Sequence, residues 1–272
     1  MENATEVIHG YRGPYCTLRW KAGGDVGIRS ILRRSQALCA SGYMRMGFAR
    51  AIVRGKIASL QKYIQLTRWN NAALAQTLRN ALESANAAAN VDDLRGIEGA
   101  ASRRFYEELQ KRLPESLGFS GRNRRPPKDP VNAAISYGNS IIYGLCVPPI
   151  AESGMNPAIG FLHEPGVGRH SLALDFSEPI KPFLVDCAIW KLVEDGTFTT
   201  ALTTEQQGAC YLNGEGRKAL RKMMTVMAQT IPGENGDRQG WPLGFLGAMS
   251  NLANRIVKDV LAGASTVDWT LE

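Results

Sequence analysis

The chain has 272 residues, 44% of them hydrophobic, and its 32 Lys+Arg against 25 Asp+Glu leave a formal net charge of +7. That is ordinary for a globular protein with room for one large or two modest domains, and a basic balance with clustered arginines favours a polyanionic partner. The five cysteines (Cys16, Cys39, Cys146, Cys187, Cys210) form no CxxC pair. This excludes a zinc ribbon or a disulfide frame, and, with no signal-peptide core and no transmembrane run, predicts buried thiols in a soluble, cytoplasmic protein.

Residues 1–24 hold Val7, Ile8, Tyr11, Tyr15, Thr17, Leu18 and Trp20, punctuated by Gly10, Gly13, Pro14, Gly23 and Gly24. They read as a short N-terminal segment that suits a hairpin and is too small for a β domain. From Asp25 the period becomes helical, with Ile28, Ile31, Leu32, Ser35 and Leu38 on one side, and residues 25–272 read as one mostly helical domain. After the break at Ser41-Gly42, Ala49, Ile52, Val53, Ile57, Leu60 and Ile64 mark a second helix. Arg50, Arg54 and Gln61 line another face of it, suited either to a phosphate backbone or to solvent. A third helix spans 71–88.

Residues 90–112 carry an apolar stripe of Leu94, Ile97, Ala101, Phe105 and Leu109, with Glu98 at its border. Gly96 and Gly99 flank that carboxylate. Glycine is costly inside a helix, so the pair predicts close approach of another backbone, the plainer reading being tight packing with Glu98 in water. Ser120 to Pro130 is a loop crowded with Arg122, Arg124, Arg125 and Lys128, equally suited to anion contact and to solvent. Asp129-Pro130 then gives an N-cap and first-turn proline to a helix with a polar stripe of Asn132, Ser136, Asn139 and Tyr143.

Residues 147–160 read as a Pro/Gly-interrupted connection into the stretch GFLHEPGVGRHSLALDFSEPIKPFLVD, 160–186. It places His163, His170, Asp175 and Glu178 around a short apolar run, a set that suits either a divalent metal or ordinary packing and helix-start charges. Pro179 and Pro182 confine the next helix to a start near them. Helices at 214–229 and 241–261, with methionines as core fillers, and a polar loop at 231–240 complete the chain.

The blocks assembled so far resemble the CRISPR-associated protein one family. In order they are Gln36 after a basic segment, IVRGKI (52–57), GIEGAASRRFY (96–106), DPVNAAISYG (129–138), GFLHE (160–164), SLALDFSEPIKPFLVD (171–186) and YLNGEGRKAL (211–220). The resemblance implies a mainly α-helical catalytic domain and a metal-dependent endonuclease and integrase. Such an enzyme joins the 3′-hydroxyl ends of a short DNA duplex into a CRISPR repeat. It further implies manganese or magnesium held by Glu98, His163 and Glu178, with Asp175 as an adjacent carboxylate, and Asn132 and Tyr137 positioning DNA or water. Arg103, Lys181 and the 122–128 cations are then expected on double-stranded DNA, together with Arg50 and Arg54.

A homodimer or homotetramer is expected. Gln36 comes too early for the family's usual N-terminal β domain, which puts partnership with CRISPR-associated protein two in question. A transposon integrase and a non-catalytic DNA-binding scaffold are the rival readings.

Overall fold

The computed structural model describes residues 7–8, 20–21, 26–229, 243–264, 267 and 269. Val7–Ile8 (β1) pairs antiparallel with Trp20–Lys21 (β2). The rest of the N-terminal segment, Cys16, Trp241 and the expected loop at 231–240 lie outside the described residues.

Helices α1 (Val26–Ser41), α2 (Arg45–Leu66), α3 (Ala72–Ala87) and α4 (Val91–Arg112) follow. The starts of α3 and α4 are set by Asn71 and Asn90, whose side chains accept the N–H of Leu74 and Asp93, each at 2.9 Å. Each cap satisfies a first-turn donor and contributes about 1 kcal/mol. α3 and α4 pack on α2, where Ile52, Val53, Ile57 and Leu60 meet Leu74, Leu78, Leu94 and Phe105 in the core. At the far end the Arg112 guanidinium lies over the rings of Trp69 and Trp190, 5.0 and 3.5 Å from their centroids, and donates to the Thr67 carbonyl at 2.8 Å.

α1 is rotated relative to the expected apolar stripe. Leu32, Gln36 and Cys39 face inward, whereas Ile31 and Leu38 are 63% and 58% exposed. The buried glutamine explains the rotation: its amide donates to the carbonyls of Asn156 and Ile159 at 3.0 and 2.8 Å and accepts the Asn156 N–H at 2.8 Å. Three hydrogen bonds tie this buried amide to the backbone of residues 156–159, and burying it without them would cost about 1–3 kcal/mol per unpaired group.

α5 (Pro130–Glu152) begins as expected at Asp129, whose carboxylate accepts the Asn132 N–H at 2.8 Å. It continues through Pro148 and Pro149, so the expected interrupted connection is shorter than 147–160. Two prolines in the last turns remove only two ladder donors, and both residues are buried. α6 (Ser171–Ser177) and α9 (Leu243–Ala262) pack against α5.

α6 ends at Ser177, residues 178–180 turn, and the helix expected to start near the prolines begins there. Pro182, which lacks an N–H, sits in the first turn of a π-type stretch (Pro182–Asp186) that runs into α7 (Cys187–Glu194). A hairpin of β3 (Thr203–Gln206) and β4 (Ala209–Leu212) follows, and α8 (Gly214–Ala228) packs on α7. The hairpin was not expected. Its turn puts Gln207 and Gly208 at φ 51° and 74°, the geometry usually signalled by Asn-Gly.

Candidate active site

Gly160 opens the loop that carries His163. A Cβ there would lie 2.7 Å from the His163 carbonyl oxygen and 2.9 Å from Asp175 Oδ2, so only glycine lets the loop fold onto α6. Asp175, wholly buried on α6, holds the loop from beneath. Its Oδ2 accepts the N–H groups of Phe161 and Leu162 at 2.6 and 3.1 Å, and its Oδ1 accepts the His163 N–H at 3.0 Å. Oδ1 also stands 2.7 Å from His163 Nδ1. A carboxylate only accepts, so Nδ1 is the donor, and in the neutral imidazole Nε2 is the nitrogen that offers a lone pair to a ligand.

From above, Arg45 donates to the Phe161 carbonyl at 2.7 Å and Arg95 to the Leu162 carbonyl at 2.7 Å. Both guanidiniums also pair with the Glu164 carboxylate, and the two arginines hold it below the usual carboxylate range. Together with Gln36 under residues 156–159, these contacts leave the histidine's backbone little freedom.

Glu98 on α4 and Glu178 at the end of α6 meet on a third side chain. Lys56 of α2 places its ammonium against Glu98 Oε1 and, at 2.6 Å, against Glu178 Oε2. Ser102 donates to Glu98 Oε1 at 2.9 Å, and Lys181 to Glu178 Oε1 at 2.7 Å. Burial would raise the Glu178 carboxyl, but Lys181 and Lys56 outweigh it and hold it well below its ordinary range. Burial likewise opposes the Lys56 charge, and the two carboxylates reverse that, raising its pKa.

Asp175 and Glu178 therefore diverge, the first into the histidine loop and the second into the cleft. Asp175, expected as a carboxylate adjacent to the ligands, has both oxygens engaged by four donors of the 161–163 backbone and the His163 ring.

Among the described residues no three His, Cys, Asp or Glu side chains stand close enough to enclose a metal ion. The residues nevertheless fit one. Two carboxylates and an imidazole with a free Nε2 are the donors that manganese or magnesium takes, and the Lys56 ammonium between Glu98 and Glu178 marks that space as one that accepts positive charge.

A cleft of about 760 Å³ opens over this centre, lined by Lys56, Ser102, His163, Glu178 and Lys181 on its inner side and by Arg122, Arg124, Arg125 and the 166–169 turn further out. Arg124, Arg125 and Lys128 are exposed on their loop, as are Arg54 and Arg103 on their helices.

Other residues expected on DNA or beside the site make contacts within the chain. Arg50 donates to the carbonyls of Ala85 and Ala88, both at 3.1 Å, and so closes the C-terminal end of α3. Arg122 donates to Asn132 Oδ1 at 2.7 Å and Ser136 Oγ at 3.2 Å, binding its own loop to α5. Asn132, fully buried, donates to Gly121 O at 2.8 Å and to Asp129 at 2.6 Å, a clasp for the loop with no atom left for DNA or water. Tyr137 faces α8, where its hydroxyl accepts from Arg221 at 2.9 Å. Nor does a backbone approach Gly96 or Gly99; a Cβ on either would meet nothing within 4 Å.

Sequence reasoning missed Lys56, Ser102, Tyr106 and Asp186. Tyr106 donates to Asp186 at 3.2 Å, both lining the cleft, and burial pushes the Asp186 carboxyl up to about 7 against the opposing pull of Arg122.

Fold and cleft together define a mainly helical protein with a carboxylate and imidazole centre at the floor of a partly basic cleft. The chain belongs to the family described as CRISPR associated protein Cas1, whose sequence model matches residues 7–225. It is 38% identical over 172 residues to a CRISPR-associated endonuclease Cas1 of Thermus thermophilus, covering 63% of this chain and 53% of that protein. To the CRISPR-associated endonuclease Cas1 of Clostridium perfringens it is 29% identical over 216 residues, covering 78% and 64%. The chain thus spans between about half and two-thirds of the length of these relatives.

Among solved structures, a Cas1 protein from Thermotoga maritima matches with TM-score 0.73 at 27% identity, covering 86% of this chain and 72% of that one. A casposase bound to integration product matches with TM-score 0.77 at 18% identity, covering 93% and 71%, and shows the shared fold alone. No helix among the described residues is long and apolar enough to cross a membrane.

Proposed function

We propose that this chain carries the catalytic centre of a DNA integrase and endonuclease of CRISPR adaptation. Such an enzyme joins a 3′-hydroxyl end of a short duplex to a phosphodiester of the CRISPR repeat by metal-dependent transesterification. The observation that carries the reading is the meeting of Glu98 and Glu178 on Lys56, with Lys56, Glu178 and His163 lining a cleft that the exposed Arg124 and Arg125 also line.

Glu98, Glu178 and His163 Nε2 are the groups that would hold manganese or magnesium. Such a cation supplies positive charge that acidifies the attacking hydroxyl and offsets the phosphate charge. Asp175 holds His163 in the tautomer that leaves Nε2 open. Ser102 and Lys181 orient the two carboxylates, and the exposed Arg124 and Arg125 favour a polyanion along the rim. Double-stranded DNA is the partner this chemistry suits. A homodimer or homotetramer, and association with a Cas2-type protein such as the one in the Cas6-RT-Cas1–Cas2 complex, extend the same reading.

Purified protein, a short duplex and a supercoiled plasmid bearing a CRISPR repeat, incubated with manganese, should yield covalently joined product. Glu98→Ala and His163→Ala should abolish it. Joining by either variant at the parent's rate would refute the site. If a plasmid bearing a transposon's terminal repeat is the only one joined, the transposon reading replaces the CRISPR one. Absence of joining with every metal and duplex would favour the scaffold.

A further inference from the structure

We propose that Lys56 is the resident counter-ion of the cation site. Its ammonium holds Glu98 and Glu178 together until a divalent cation displaces it, and the freed charge then turns into the cleft to meet a DNA phosphate. This rests on the reading of Glu98, His163 and Glu178 as the ligands.

The geometry carries the first half. Lys56 Nζ contacts one oxygen of each carboxylate, on side chains 22% and 10% exposed, while the lysine itself is 11% exposed. Two carboxylates brought this close repel in a partly desolvated site unless a positive charge stands between them. The placement of Lys56 is built into the backbone. The neighbouring Gly55 lets α2 come so near Pro179 that a Cβ would lie 3.1 Å from its ring, and this brings the lysine against Glu178, the residue before that proline.

The second half follows from charge and shape. An ammonium and a divalent cation cannot share the space between the same two oxygens, because their repulsion at such distances exceeds what either contact contributes. A lysine has a flexible stem and three rotatable donors, and Lys56 already lines the cleft, so the displaced head has an aqueous place to go and an anion to meet there. Cation binding and DNA binding become linked, and the linkage is reciprocal. Lys181 takes no part in the exchange, because it reaches Glu178 through the other oxygen, Oε1.

The test is calorimetric titration of manganese into the wild type, Lys56→Met and Lys56→Gln, with fluorescence anisotropy of a short duplex measured with and without manganese. Removing the competing charge should tighten manganese binding by at least about tenfold in both variants. The manganese-dependent gain in duplex affinity seen in the wild type should shrink in both. A merely structural lysine would weaken manganese binding when removed.

Equal or weaker binding in the variants, beside a wild type that binds manganese, overturns the counter-ion role and leaves the ligand assignment standing. A wild type that binds no manganese overturns the ligand assignment, and the counter-ion role with it. If Lys56→Met melts without metal, recovery of a cooperative transition on adding manganese supports the proposal, and failure of both variants to recover refutes it.

Discussion

Asp175 grips His163 twice, through the backbone N–H at 3.0 Å and the ring Nδ1 at 2.7 Å, so one buried carboxylate sets the residue's position and its tautomer together. Asp175→Asn keeps the shape but turns one acceptor into a donor, which must face either the two amides of Phe161 and Leu162 or the two donors of His163. Manganese affinity should fall by about 10–100-fold, the usual effect of losing such a partner. Asp175→Ala strands buried donors and should cost on the order of 3 kcal/mol or more in chemical denaturation. An Asp175→Asn variant with unchanged manganese affinity would return Asp175 to a packing role.

The glycines of the site separate into two kinds. Gly160→Ala forces a methyl group into the His163 carbonyl and the Asp175 carboxylate, neither of which has room to retreat, and should cost about 1–3 kcal/mol. Gly96→Ala meets nothing within 4 Å and lies inside α4, so it should stabilise by about 0.5–1 kcal/mol. Thermal melts of the two variants check the contrast. Equal shifts would mean that the loop yields more than its hydrogen bonds suggest.

The same glycines show how far the sequence was legible. Helical periodicity located most helices, and the motif order singled out Glu98, His163 and Glu178, of which the structure brings Glu98 and Glu178 together on Lys56. The close approach inferred at Gly96 and Gly99 falls instead on other helical glycines: Gly55, three positions from the IVRGKI start, where α2 meets the Pro179 ring, and Gly216, where α8 meets the Leu202 carbonyl. Which helical glycine is crowded depends on a neighbour far along the chain, and nothing in a single sequence encodes that neighbour. The roles of Arg50, Asn132 and Tyr137 were unreadable for the same reason. Their polar atoms are satisfied by a helix end, a loop and a distant helix. Gln36 kept its place in the motif order but rotates α1 for its own hydrogen bonds, which no apolar count predicts.

Asp186 makes stability depend on pH. Its ordinary value is 3.8 and burial lifts it to about 7, so between these values the folded chain holds a proton that the unfolded chain has released. The contribution is complete below about 4 and lost as pH rises through 7, with a slope of up to about 1.4 kcal/mol per pH unit. Asp186→Asn keeps an acceptor for Tyr106 and removes the titration. In metal-free buffer it should match the wild type near pH 4 and exceed it at pH 8 by a few kcal/mol, on the order of the slope times the window. Denaturation curves at the two pH values decide this, and parallel curves would place the carboxyl's proton elsewhere.

DNA affinity should fall with salt, since lysines and arginines release counterions from phosphates, and the loop cations should own part of that slope. Arg124 and Arg125 are exposed and line the cleft. If each meets one phosphate, their double replacement by alanine should reduce the slope of log K against log salt by about 1.8 while leaving the melting temperature near its original value. Arg50→Ala is the matching control, because its guanidinium closes the end of α3 at 3.1 Å from two carbonyls. It should lower the melting temperature and leave the salt slope alone. If Arg50→Ala flattens the slope and the loop variant does not, the DNA path runs along α2 instead of the loop, and the cleft's outer rim has been assigned to the wrong element.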